Sequence, residues 1–119
     1  MLTGSAAVFV VSDLTASLAY YRDALGFEVS FVYGEPNHYA CLCREDIGLH
    51  LIASTATRRL AGQGALCVFV EDVDAVHAEL VSRGARVLMA PRDYAYGMRD
   101  FNVADLDGNQ LTIGMGSTE

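Results

Sequence analysis

Apolar and polar positions along this chain follow two periods in turn, a strand period and a helix period, and the succession occurs twice. Ala6–Ser12 and Ala65–Glu71 are apolar runs of strand length, each followed at once by an aspartate. After the first, Leu14, Leu18, Tyr21 and Leu25 recur at helical spacing and form one apolar stripe. Asp13 is placed to cap this helix by accepting free amides of its first turn, and Gly26 to stop it. After the second, Val73, Val76 and Leu80 form the stripe, Asp72 or Asp74 the cap, and Gly84 the stop. Strands are predicted at Phe27–Gly34, Tyr39–Arg44 and Ile47–Ala53, then again at Arg86–Ala90, Met98–Ala104 and Gln110–Gly114. Gly34–Asn37 and Glu45–Asp46 carry turn residues, and Asp105–Asn109 reads as a hairpin turn.

The order is therefore βαβββ, a polar connector, and βαβββ. Asp13 to Gly26 and Asp72 to Gly84 span 13 and 12 positions, so the halves are near copies. Two copies imply pseudo-symmetry; a stacked solenoid needs at least about three. The expected fold is one α+β domain over 1–119: module one 1–53, connector 54–64 and module two 65–119. Two modules form a pseudo-symmetric curved mixed sheet, with helices on the outer faces and a cleft between the free faces.

Composition narrows the partners. The 119 residues are 52% hydrophobic and 19% charged, enough for a core and too apolar for disorder. Fifteen acidic groups against eight arginines, with no lysine, give a net charge of −7. That balance disfavours nucleic acid and anionic membranes as partners. No apolar run reaches membrane-spanning length, and MLTGSAAVFVVSD reads as a first strand rather than a signal peptide. Cys41, Cys43 and Cys67, an odd number, fit a reduced cytoplasmic protein in which they act as small buried hydrophobes.

Val11-Ser12-Asp13-Leu14, Ser17 with Tyr20-Tyr21, and Leu25-Gly26-Phe27 recur in type as Val70-Glu71-Asp72-Val73-Asp74 opens the second half. Tyr96-Gly97-Met98-Arg99-Asp100-Phe101 then leads into Asp105-Leu106-Asp107-Gly108-Asn109. In this order the chain resembles, over nearly its whole length, the glyoxalase / bleomycin resistance protein / extradiol dioxygenase (vicinal oxygen chelate) superfamily, and its bleomycin-resistance branch most. Leu106 departs from the proline usual in that turn. The resemblance implies four metal-ligand positions, which fall on Ala6, His50, Ala65 and Thr112. Two methyl groups and a neutral hydroxyl leave one imidazole, where a catalytic metal needs about three protein donors. No metal, no cofactor and no catalytic residue are therefore expected.

Strand alternation turns His50 away from Leu49 and Leu51, toward the cleft. Phe31, Tyr33 and Tyr39 flank the first-half turn, and Tyr94, Tyr96 and Phe101 bracket the second-half loop. Aromatic rings with a few polar groups suit a flat ligand, and Glu35, Asp93 and Asp100 favour a cationic one. The expected ligand-binding set is His50, Tyr39, Phe31, Tyr33, Tyr96, Met98, Arg99 and Phe101. Arg99 is expected to pair with Asp100 or Asp105, His38 to lie in a solvated turn, and His77 at the surface or the core boundary. A metal held by His38, His50 and Cys41 or Cys43 would need side chains of opposite strand parity to converge. With those ligands missing, the resemblance implies a metal-free small-molecule binding protein that sequesters an aromatic or cationic antibiotic, and a homodimer that closes its clefts with both chains. The competing readings are a metal-dependent lyase, isomerase or dioxygenase using His50 with atypical ligands, and a module that binds another protein.

Overall fold

The computed structural model describes residues 1–116. Module two as expected from the sequence extends to 119, so its last three residues lie outside the described part. Strands β1 (Ala7–Val11), β2 (Glu28–Tyr33), β3 (Tyr39–Arg44) and β4 (Ile47–Ala53) form one sheet in the order β1-β4-β3-β2. Strands β5 (Ala65–Phe69), β6 (Arg86–Asp93), β7 (Met98–Ala104) and β8 (Gln110–Gly116) repeat it as β5-β8-β7-β6. In each sheet the first strand lies parallel to the fourth and the remaining pairs are antiparallel. Helices α1 (Leu14–Asp23) and α2 (Val73–Arg83) cross between first and second strands. None of the described helices is long and apolar enough to cross a membrane.

Capping follows the acidic residues. Asp13 accepts from Ala16 N and Asp72 from Ala75 N, both at 3.1 Å, so Asp72 rather than Asp74 caps α2. Gly84 ends α2 with a left-handed φ of 89°. The first helix ends differently from expectation: Ala24, still right-handed, is its cap, and Gly26 with φ 75° turns the chain two residues later. Phe27 N donates to Tyr21 O across that turn, so glycine redirects the chain after the helix has closed.

Alternation then sorts the side chains. Leu49, Leu51, Ala40 and Leu42 face α1, and Leu111, Phe101 and Val103 lie on the corresponding face of the second sheet, all of them buried. Both sets belong to one core, which therefore runs through both modules. The opposite faces of both sheets carry the ladder rows described below.

Polar groups join the modules at one knot. The Asp105 carboxylate, 2% exposed, accepts from the amides of Asp107 and Asn109 at 2.9 Å, from Tyr21 Oη at 2.8 Å and from Asn109 Nδ2 at 2.9 Å. Asn109 Nδ2 also donates to Val10 O in the first sheet, and Asn109 Oδ1 accepts from Gly64 N. Burial first, then the charge and hydrogen bond of Asp105, push the Tyr21 phenol far above its ordinary range, so it remains a donor. Away from the knot, Arg44 donates to Glu79 at 2.6 Å and to Leu25 O at 2.9 Å, tying β3 and the end of α1 to α2.

Ser17, 1% exposed on α1, buries a hydroxyl with no hydrogen-bond partner among the described residues. Ser17→Ala removes that unpaired group and raises helix propensity, so stability should rise by about 1 kcal/mol. A higher urea midpoint at unchanged slope is the expected reading; an unchanged or lower midpoint contradicts it. Glu79 is held below the ordinary glutamate range, chiefly by its hydrogen bond from Arg44 and then by the one from Arg83. Its stabilising contribution is present above that ordinary range and is lost as pH falls through the lowered folded value. Glu79→Gln should therefore lower the melting temperature near pH 7 and cost progressively less toward about pH 3. A cost that stays constant across a pH series of melts would refute this.

Candidate functional site

The first sheet turns one row of side chains away from its helix. Val8, His50, Cys41 and Phe31 lie opposite one another on β1, β4, β3 and β2, and Tyr39 pairs with Tyr33 in the next row. Phe31 and Tyr33 stack at 6.3 Å between ring centroids with planes 20° apart, and both are more than half exposed. Tyr39 Oη and His50 Nδ1 share a hydrogen bond of 2.8 Å, with the rings edge to face. That contact fixes the imidazole at Nδ1, and burial raises the Tyr39 phenol above its ordinary value. The face is thus a strip of aromatic rings with one oriented imidazole.

The second sheet supplies a matching face. Cys67, Thr112, Asn102 and Met89 form one row, and Phe69, Gly114, Asp100 and Arg92 the next. Thr112 Oγ1 donates to Asn102 Oδ1 at 2.6 Å, which marks this side as the polar one. Phe69 and Tyr96 are 69% and 68% exposed, unusual for large rings and equivalent to an uncovered apolar patch. Tyr94 stacks on Tyr96 at 5.1 Å, and the Arg92 guanidinium lies 4.7 Å from the Tyr94 centroid. Tyr96 Oη donates to Asp100 Oδ2 at 3.0 Å.

Among the eight expected ligand residues, His50, Tyr39, Phe31 and Tyr33 therefore share the open face of the first sheet. Tyr96 and Met98 lie on the second sheet around Asp100 and Gly114. Two residues depart from the set. Phe101 is fully buried in the core, packed edge to face on His77 at 5.1 Å, because its strand parity is opposite to that of Asp100. Arg99 shares that parity and reaches the helix side, donating to Asp74 at 2.8 Å and lying 3.5 Å from Asp93. Its expected partners, Asp100 and Asp105, are not the ones it meets. His77 is a half-buried boundary residue that packs on Phe101.

His38 sits in the turn against the Tyr33 ring, with Nδ1 3.2 Å from Pro36 O. The cysteines also depart from expectation: Cys41 and Cys43 are half-buried and Cys67 is exposed, because all three point away from the helices. Cys41 lies directly opposite His50 and shares its parity, whereas His38, three positions before Cys41, has the opposite one. The positions the resemblance assigns to metal ligands still present one imidazole, two methyl groups and a hydroxyl, a donor set that does not fit a divalent metal. Among the described residues no three His, Cys, Asp or Glu side chains come together as a ligand set.

Phe69 and Gly114 escaped the sequence reading. The run Ala65–Glu71 looks uniformly apolar, and only the alternation of Leu66 and Val68 against Cys67 and Phe69 separates its two faces. A cavity of about 780 Å³ lies at the module junction, lined by Phe27, Ile47, Val68, Val76 and Ile113 with Arg44 and Glu71 among its polar residues. None of the expected ligand residues lines it.

Comparison with known proteins places this geometry. A family model described as the Glyoxalase/Bleomycin resistance protein/Dioxygenase superfamily matches residues 5–113. No curated protein matches the chain. Among solved structures, a glyoxalase / bleomycin resistance protein from Catenulispora Acidiphila DSM 44928 is 31% identical, with 93% of this chain and 96% of that one covered and a TM-score of 0.73. The bleomycin-binding protein from bleomycin-producing Streptomyces verticillus, complexed with copper(II)-bleomycin, is 26% identical, covering 100% and 98% at a TM-score of 0.75. TnmS3, an antibiotic binding protein from Streptomyces sp. CB03234, is 24% identical, covering 98% and 99% at 0.77, a likeness of fold alone.

Proposed function

The chain belongs to the glyoxalase/bleomycin resistance protein/dioxygenase superfamily, and from that premise we propose that it is a cytoplasmic, metal-free binding protein that sequesters a flat aromatic small molecule of the antibiotic kind. The observation that carries this reading is the pair of open sheet faces bearing exposed Phe31, Tyr33, Phe69 and Tyr96. Rings held on rigid strands offer stacking area at little cost in side-chain entropy, and His50 with its Tyr39 partner adds an oriented polar contact. Bleomycin binding by the Streptomyces verticillus relative supports this class of ligand. His50, Tyr39, Phe31, Tyr33, Tyr96 and Met98 are the proposed contacts.

Each face is a single wall, so the cleft is closed by a second copy. The accessible surface is 7118 Å², against about 6,300 Å² expected for a compact monomer of this mass. The radius of gyration, 14.7 Å, also exceeds the expected value of about 13.5 Å. Both excesses support a homodimer that covers the aromatic faces. Sedimentation at micromolar concentration is expected to give the dimer mass, and a clean monomer would refute it.

A thermal-shift screen with bleomycin, mitomycin-like quinones and other planar drugs tests the binding role. A ligand at about 100 times its dissociation constant adds about 2.7 kcal/mol, a rise of several degrees for a domain of this size. If no planar compound moves the melting point, sequestration fails. The oriented His50 favours one competing reading, a metal-dependent lyase or isomerase with atypical ligands. Stoichiometric metal in protein purified without chelator, whose removal abolishes activity, would replace the binding role with that one.

A further inference from the structure

The two module junctions correspond through the internal repeat, yet they are unequally filled. Aligning the halves on Asp13 and Asp72 places Val68 on Phe9, Val70 on Val11 and Leu80 on Tyr21. At the first junction Phe9, Val11 and Tyr21 are 2%, 0% and 0% exposed. There the β7–β8 turn brings Asp105 against Tyr21 and Asn109 against β1, both buried. At the second junction every one of these fillers is smaller. Valine stands for phenylalanine and leucine for tyrosine. The turn that corresponds to Asp105–Asn109 is the two-residue Glu45–Asp46 between paired Arg44 and Ile47, and both of its residues are exposed. Val68 and Val70 are consequently only half-buried, and the cavity of about 780 Å³ lies against them. That volume is within the range of small-molecule sites, about 300–1,000 Å³.

The walls of this cavity have a definite chemistry. Ile47, Val68, Val76 and Ile113 give it a lining of branched methyl groups, which suits a flexible hydrocarbon chain. Around its mouth Glu45, Asp46, Glu71 and Asp72 stand against the one cation, Arg44. That arginine is already matched: it pairs with Glu79 at 2.6 Å and Glu45 at 3.7 Å and donates to Leu25 O at 2.9 Å. Asp72 is engaged as the cap of α2. Among the described residues no cation lies within ion-pair distance of Asp46 or Glu71. Unmatched negative charge over an apolar interior attracts a cation with an aliphatic body and repels an anion of the same shape.

We propose that the junction cavity is a second binding site, separate from the open sheet faces, for an amphiphilic aliphatic amine. Its hydrocarbon chain lies on Val68, Val76 and Ile113, and its ammonium stands at the mouth beside Asp46 and Glu71. None of the proposed contacts of the aromatic faces lines this cavity, so the two sites stand or fall separately.

Octylamine, octanol and octanoate share one chain and differ in charge near pH 7, where an alkyl amine is protonated. They are titrated at low salt into protein labelled at its Ile, Leu and Val methyl groups and followed by NMR. Octylamine is expected to shift the methyl resonances of Ile47, Val68, Val76 and Ile113 and to leave Val8, in the His50 row of the first sheet, unmoved. It should bind at least about fivefold more tightly than octanol, with octanoate weakest, and the advantage should shrink as salt is added. Asp46→Asn combined with Glu71→Gln alters two exposed side chains and should bring octylamine down to the affinity of octanol. Val68→Phe combined with Ala75→Trp, which restores the ring found at Phe9 and adds another on the cavity wall, should weaken all three ligands. Absence of shifts at the four methyl groups with every compound overturns the site. An amine preference that survives the loss of both carboxylates overturns the ligand class. Acridine, a planar dye for the open faces, should stay bound when octylamine saturates the protein; its displacement would put both ligands in one place and overturn the second site.

Discussion

Asp105→Ala is expected to leave the protein largely unfolded at room temperature, the largest loss from any single side chain in the molecule. The reason is the number of donors that converge on one carboxylate. Removing it strands the amides of Asp107 and Asn109, the Tyr21 hydroxyl and one bond of Asn109 Nδ2, in surroundings where Asp105 and Asn109 are 2% and 1% exposed. An unpaired buried donor costs about 1–3 kcal/mol, so the summed loss approaches the whole stability of a small domain, about 5–15 kcal/mol. Tyr21→Phe removes one donor together with its acceptor contact and should cost only about 1–2 kcal/mol. The two variants share a partner, so their effects should fail to add in a double-mutant cycle. Urea denaturation with matched slopes measures all three; an Asp105→Ala loss below about 1 kcal/mol would show that the knot is incidental.

The knot also marks where sequence reading stops. Asp105–Asn109 was readable as a turn because aspartate, glycine and asparagine tolerate tight backbone geometry. That its first residue would be buried and bonded to a tyrosine 84 positions earlier was not, since nothing local to either residue reports the other. The same division runs through the candidate site. Strands β3, β4 and β7 were legible to the residue, because Tyr39–Arg44, Ile47–Ala53 and Met98–Ala104 are bounded by turn chemistry and patterned by period. His50 was assigned to the open side by the parity of Leu49 and Leu51, which are indeed fully buried. Phe101 and Arg99 lie off the open face, because alternation from Asp100 turns both toward the helix side.

Gly62→Ala should also be strongly destabilising, although it adds one methyl group to a connector of no obvious chemistry. Two costs coincide there. The residue has φ 81°, which a Cβ disfavours by about 1–2 kcal/mol, and that Cβ would collide with the carbonyl oxygen of Asp107. Backbone cannot step aside as a side chain end can, because Asp107 N is held by Asp105 and Gly62 N donates to Val10 O. A total loss of about 3 kcal/mol or more is expected. Gly64→Ala tests the same junction through a side chain: its Cβ would strike the ring of Phe9, 2% exposed in the core, and lie 2.9 Å from Asn109 Oδ1. Gly4→Ala is the control, since nothing lies within 4 Å of its Cβ and its midpoint should not move. Because Gly64 bonds Asn109 and Gly62 bonds the first sheet, these glycines hold the connector against both modules and so fix how the two aromatic faces are disposed. Partly destabilised variants that remain folded should therefore lose dimer and dye binding together, well below their melting temperature. If Gly64→Ala instead melts early yet binds planar dyes with wild-type affinity when folded, the junction contributes stability alone and the faces are set by the sheets themselves.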